Sequence, residues 1–180
     1  ESRGTLKDGK QDGLEEWFDE NGQLKIRINF KNGKPDGLIE NFYEYGQLMY
    51  RGNYKNGKQD GLVEEFYENG QLKSRKTYKN GKWDGLWEVF YFISNNNPFD
   101  LHGSIKTRKN YKDGKLDGLR ETFYSKSDNN PFVLHGPIKI RGNYKDGIPD
   151  GLWKYFYDNG QLESRGTLKD GKQDGLEEWF

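Results

Sequence analysis

One motif recurs along the whole chain, and that recurrence limits what the chain can fold into more than any other feature. Seven units start at Glu1, Lys25, Met49, Lys73, Lys106, Lys139 and Glu163, giving segments 1–24, 25–48, 49–72, 73–105, 106–138, 139–162 and 163–180. Some columns keep one residue type in every unit: an Arg (Arg3 to Arg165), a Lys (Lys7 to Lys169), a Gly, an Asp-Gly pair, a Leu and a Phe. A residue that returns in every unit answers a structural demand common to all of them. Residues 163–180 also repeat residues 1–18 without a change, whereas other pairs of units differ at many positions. That identity points to duplication, or to a segment of a longer array.

Each unit reads as two strands and two turns. In the third unit, R-G-N-Y and L-V-E-E-F-Y have strand composition, N-G-K-Q-D-G separates them, and E-N-G-Q leads onward. Asn-Gly is a hairpin signal because a type I′ turn needs positive φ at both central residues. Helix is excluded by glycine, since 24 residues of that type would each cost about 1 kcal/mol in a helix interior. Only 31% of residues are apolar, and 16% of the chain is Phe, Trp or Tyr. Disordered chains are poor in aromatics, so the composition excludes both a free coil and a thick two-layer core. The fold expected is all-β: one elongated antiparallel meander of tandem β-hairpins. About fourteen strands at ~4.8 Å spacing would span on the order of 65 Å.

The register can be argued further. Taking Asn69-Gly70 as a two-residue turn pairs Glu68 with Gln71 and sets Glu64 opposite Arg75. Taking 56–59 as a four-residue loop pairs Lys55 with Asp60 and sets Glu64 opposite Arg51 as well. The two registers differ by one period, so no stagger accumulates, and each Glu of this column sits between two Arg. Gly61 then falls between Tyr54 and Tyr78, leaving room for a ring over the glycine. Cross-strand pairs of these kinds contribute roughly 0.2–1 kcal/mol each. Lys154 breaks the ladder, because it stands in the Glu column between Arg141 and Arg165. It either leans away or meets a carboxylate from elsewhere, including one on an acidic partner.

The pattern G-N-Y-K-N-G-K-x-D-G-L-W-E-x-F-Y-x-N-G-Q-L resembles the bacterial variant of the MORN repeat, and the group labelled YwqK-family antitoxins is of this kind. The resemblance covers nearly the whole chain. It implies elongated β-hairpin stacks used as protein-binding or scaffolding modules, some of them linked to membrane lipids, and it carries the antitoxin label only at family level. The commoner MORN pattern has His before the Gly where this chain has Asp12, Asp36 and Asp60, so no role tied to that His transfers.

Charge and composition narrow the function classes. The 29 basic and 29 acidic residues cancel, which argues against nucleic acid as main partner. No stretch approaches a membrane span, and none reads as a targeting segment. With no Cys and two His, catalytic and metal chemistry has few donors, so neither an enzyme nor a cofactor is expected. D-G-K-Q-D-G at 8–13 faintly resembles a calcium loop, but Lys10 holds the middle ligand place and would repel the ion. No metal is expected.

Two units carry a nine-residue insertion at one place: 92–103 (F-I-S-N-N-N-P-F-D-L-H-G) and 125–136 (S-K-S-D-N-N-P-F-V-L-H-G). Long loops on a rigid scaffold are where binding residues concentrate. Phe99, Leu101, Phe132 and Leu134 are candidate partner contacts, or else pack as a cap. His102 and His135 stand where regular units have Asn before Gly, and left-handed turn geometry accounts for them; by position they join the same candidate surface. Trp83 and Trp87 are anchors of the kind interfaces favour, although a thin sheet also needs them, with Trp153, as core. The edge bearing the insertions is acidic, with Asp19, Glu20, Glu44, Glu68, Asp100, Asp128 and Asp158 against Lys126. It would steer a basic partner and repel anionic lipid.

The sequence is therefore read as a non-enzymatic protein-binding scaffold, of the antitoxin or immunity type by resemblance, with candidate contacts Phe99, Leu101, His102, Phe132, Leu134, His135, Trp83, Trp87 and Lys154. Two alternatives remain: spacer repeats of a longer surface or secreted protein, and a membrane-peripheral lipid-binding module. Compartment stays open between bacterial cytoplasm and secretion or the cell surface.

Overall fold

A computed structural model describes residues 1–92, 104–125 and 136–180. The fold is an open antiparallel β-meander, and among the described residues no helix forms. Two compact units are distinguished, Glu1–Lys82 and Trp83–Phe180.

Unit 1 is built from strands Gly13–Phe18, Leu24–Lys31, Lys34–Phe42, Leu48–Lys55, Lys58–Phe66 and Leu72–Lys79, each antiparallel to the next. Ser2–Arg3 pairs with the first of these, and Leu6–Lys7 pairs with Lys10–Gln11 in a small separate hairpin. Unit 2 takes in Lys82–Phe90 (from Trp83), Ile105–Lys112, Lys115–Phe123, Ile138–Lys145, Gly151–Phe156 and Leu162–Lys169, again paired in chain order.

The expected register holds where charge fixes it: Glu64 lies opposite both Arg51 and Arg75. The turns that deliver it differ from expectation. Asn56 and Gly57 have φ of 52° and 82°, and Lys55 pairs with Lys58, so the type I′ turn is here and not at 69–70. At the other connection only Gly70 has positive φ, at 81°. The Gly70 amide donates to Tyr67 O at 2.9 Å and the Tyr67 amide to Gln71 O at 2.8 Å, a three-residue type I turn closed by a glycine bulge. Consequently Asn69 is not left-handed, and the left-handed argument for His102 and His135 fails for the regular units; both histidines lie outside the described residues.

A bulge makes up the difference in register. Tyr54 pairs with Gln59 while Gly52 pairs with Val63, so Asn53 faces three residues, Asp60 to Leu62. Gly61 sits in this bulge at φ 108°, a conformation that side chains resist. It lies opposite Tyr78 as expected, but the bulge moves it off Tyr54. The same Asp-Gly bulge ties neighbouring repeats together. Asp60 Oδ2 accepts the Asn80 amide at 3.0 Å, Asp36 that of Asn56 at 3.0 Å, and Asp117 that of Asp146 at 3.2 Å. Each carboxylate thus holds the left-handed residue of the following type I′ turn. A charge-assisted bond at an exposed site is worth about 1 kcal/mol. Asp60→Ala should therefore speed hydrogen exchange of the Asn80 amide roughly fivefold; unchanged protection there would show that the turn is held by something else.

The interior is thin and partly ionic. Val63 (2% exposed) and Trp153 (6%) are buried beside half-buried neighbours, while Glu88 (0%) and Glu121 (4%) are among the most buried groups of all. Burying a carboxylate is tolerated only when it is paired, and the Arg column does this. Arg108 Nε donates to Glu88 Oε1 at 2.9 Å, and Arg141 Nε to Glu121 Oε1 at 2.8 Å. Arg27 bridges Glu16 and Glu40 at 2.9 and 3.2 Å. A second set of ties runs from Tyr hydroxyls to Phe carbonyls: Tyr43 to Phe66 at 2.7 Å, and Tyr91 to Phe123 and Tyr124 to Phe156, both at 2.9 Å.

Candidate functional site, a cationic and aromatic row in unit 2

The insertions enter without opening the meander. Tyr91 N donates to Ser104 O at 2.8 Å and Tyr124 N to Pro137 O at 2.9 Å, repeating the closing bond that the Tyr67 amide gives Gln71 in a regular turn. Phe99, Leu101, His102, Phe132, Leu134 and His135 lie between these bases and outside the described residues. Of the remaining sequence-derived candidates, Trp83 and Trp87 are brought together, and Lys154 is not part of their cluster.

Trp83 and Trp87 stand two turns of the pleat apart on one strand and stack, with centroids 5.6 Å apart and planes at 25°. Tyr111 closes the group edge-on to Trp83 at 4.9 Å. Trp83 remains 37% exposed and Trp87 is half-buried, so the pair is neither plain core nor free surface. Trp153, by contrast, is core. Its ring lies over Gly142, where an added Cβ would come within 2.3 Å of it, and Tyr144 meets it edge-on at 5.5 Å.

Between these aromatics lie two cations that the sequence reading passed over. Trp87 is directly opposite Lys109, Lys109 opposite Arg120, and Arg120 opposite Gly142, so the four share one row on one face. Lys109 Nζ sits 4.5 Å from the Trp87 ring centroid, and Arg120 Nη1 donates to Tyr144 Oη at 2.9 Å. Burial, helped by the Arg120 charge, holds the Lys109 amine below its usual value. Burial also raises the Tyr111 hydroxyl, with Arg120 opposing and Tyr144 adding to it. The signal was available in the sequence: Arg120 occupies the column that holds Ile39, Val63, Trp87 and Trp153 in the other internal repeats, with Glu15 and Glu177 in the terminal ones.

Lys154 lies between Arg141 and Arg165 as the register requires. Both arginines turn outward, Arg141 to Glu121 and Arg165 to Glu178, and Lys154 has no ion pair among the described residues. Lys154→Glu should therefore raise stability by about 1 kcal/mol, two like-charge contacts becoming attractive ones. The gain is limited because both arginines already have carboxylates. A fall in the urea midpoint of that variant would show that Lys154 is not repelled where it stands.

Among the described residues, no group of three or more His, Cys, Asp and Glu could hold a metal ion, and no helix is long and apolar enough to cross a membrane.

The profile of the MORN repeat variant family matches residues 11–32, 35–56, 59–80 and 149–170. Each matched segment covers one hairpin arm, its turn and the next arm, and none includes an insertion. No curated protein matches the chain. MORN repeats are in general protein- or lipid-binding modules and a non-enzymatic repeat type. In both their repeated columns and the hairpins they build, these four segments are MORN repeats of the variant type.

Proposed function

We propose that the chain is a protein-binding scaffold whose repeats present a face and an edge to a partner. The observation that carries this reading is the stacked Trp83–Trp87 pair, left partly open on a sheet face. Large aromatic side chains anchor interfaces because they bury much area at little entropic cost. The turns of each unit add charge: Glu20, Glu44 and Glu68 in unit 1 and Asp158 in unit 2 are exposed and hold no ion pair among the described residues, so a basic protein would be steered to them. An immunity-type role follows if that partner is a basic toxin, and the insertions, with Phe99, Leu101, His102, Phe132, Leu134 and His135, then extend the contact. The test is affinity capture from the source cell by the intact chain, by a Trp83→Ala variant and by a chain lacking 93–101 and 126–134. A specific protein lost from both variants supports the scaffold. Capture unchanged by either variant, or of vesicles alone, would sink it in favour of a spacer or a lipid-binding module.

A further inference from the structure

Besides Lys154, two half-buried cations in unit 2 lack a carboxylate of the kind that most ladder arginines have. Ladder arginines such as Arg27, Arg108 and Arg141 are paired, and Lys76, in the same column as Lys109, binds Glu65 at 2.8 Å. Burial pushes the Glu65 carboxyl up, but the bonds from Lys76 and Ser74 outweigh it and leave it below its usual value. At the place of Glu65, unit 2 has Val89 and then Thr122. Lys109 and Arg120 accordingly have no ion pair among the described residues. Around them lie side-chain donors that are buried and hold no hydrogen-bond partner there: Trp87 Nε1, Arg120 Nε and Thr122 Oγ1, with Trp153 Nε1 at the far end of the row. A half-buried guanidinium and ammonium side by side, surrounded by unmatched donors, cost free energy that a neutral fold would avoid. The two cations call for the same thing, an anionic acceptor.

We infer that the Trp87–Lys109–Arg120 row is a docking site for the carboxylate side chains of an acidic protein segment, with Trp83 and Tyr111 as the stacking rim. The inference rests on the scaffold reading and adds the partner's chemistry at this face. Charge complementarity selects the occupant. A carboxylate accepts from Arg120 and Lys109 together, and the flanking rings exclude water, which strengthens such bonds. The basic segment suited to the acidic turns would be repelled here, so the two surfaces select different parts of a partner.

The intact chain is titrated at low ionic strength with a capped octapeptide of alternating Glu and Ser, following the emission of its own tryptophans. A saturable change is expected, absent with the peptide carrying Gln for Glu. Arg120→Leu should weaken binding by about tenfold or more, the worth of a charge-assisted pair. The same substitution should leave the urea midpoint unchanged or higher, because a half-buried charge with no ion pair, held only by the Tyr144 hydroxyl, gives way to an aliphatic residue like those at Ile39 and Val63. Equal binding of the Gln peptide would overturn the site, as would undiminished binding by Arg120→Leu or a lower midpoint, the last marking Arg120 as structural. Tighter binding of phosphatidylserine vesicles than of the Glu peptide would also overturn it, in favour of a lipid surface. So would binding seen only in the Asp100→Asn, Asp128→Asn double variant, which would make the chain's own loops the occupant. None of these readings depends on what the capture experiment retains.

Discussion

Replacing Gly142 with alanine is expected to destabilise unit 2 by about 3 kcal/mol. An added Cβ would lie 2.3 Å from Cδ2 of Trp153 and 2.4 Å from Cε2, far inside van der Waals contact. The backbone offers no relief, since Gly142 is held in strand Ile138–Lys145 between Lys115–Phe123 and Gly151–Phe156. The indole must therefore move, and it is 94% buried on its present site. Urea unfolding followed by tryptophan emission measures the cost. The equivalent pair in unit 1 is Gly52 opposite Val63, which shows how the row accommodates a smaller partner. Combining Gly142→Ala with Trp153→Val should cost clearly less than the sum of the two single changes, because the smaller side chain removes the clash. Simple additivity would mean that the ring and the glycine are not coupled.

The second large effect concerns a buried acid. Glu121→Ala is expected to cost about 2–3 kcal/mol. Its carboxylate is 5% exposed and lies 2.7 Å from Arg141 Nη2 and 3.7 Å from Arg108 Nη1. Removing it leaves the Arg141 guanidinium without a counter-charge, while Arg108 keeps its bond to Glu88. The loss stays below that of a fully buried pair because the arginines are 34% and 46% exposed and water screens what remains. Glu178 supplies the control. It occupies the same column and pairs with Arg165, but its side chain is 51% exposed, so Glu178→Ala should cost under about 1 kcal/mol. Equal losses at the two positions would show that burial does not set the strength of the ladder.

How much of this was legible follows from what each residue can reveal. The Arg–Glu ladder could be read because opposite charges and a fixed period overdetermine the register at Glu64. The turns could not be told apart. Both connections contain Asn-Gly, and a two-residue turn followed by a bulge at Asp60-Gly61 delivers Glu64 to Arg51 as well as a four-residue loop does. The register test was blind to the exchange. Asp60 itself showed invariance but not its use, because the amide it holds belongs to a turn twenty residues onward. Trp153 was identifiable as core, while the half-open state of Trp83 and Trp87 depends on Tyr111 and Lys109, which only pairing brings near. Arg120 was the most informative residue missed. Between the terminal repeats, which carry Glu15 and Glu177 there, Arg120 is the one charged residue in a column of Ile, Val and Trp, and the repeat alignment contained it.

The ties between repeats have a kinetic consequence. The Asp bonds to the following turn span 20 or 29 residues, the Arg–Glu pairs span 11 to 20, and the Tyr–Phe bonds span 23 or 32. A repeat added by duplication brings more contacts of these same lengths and none of greater length. Mean contact separation therefore stays constant as the array grows, and loop-closure entropy, which slows most β-proteins, does not mount with size. Growth by copying would lengthen such a protein without slowing its folding.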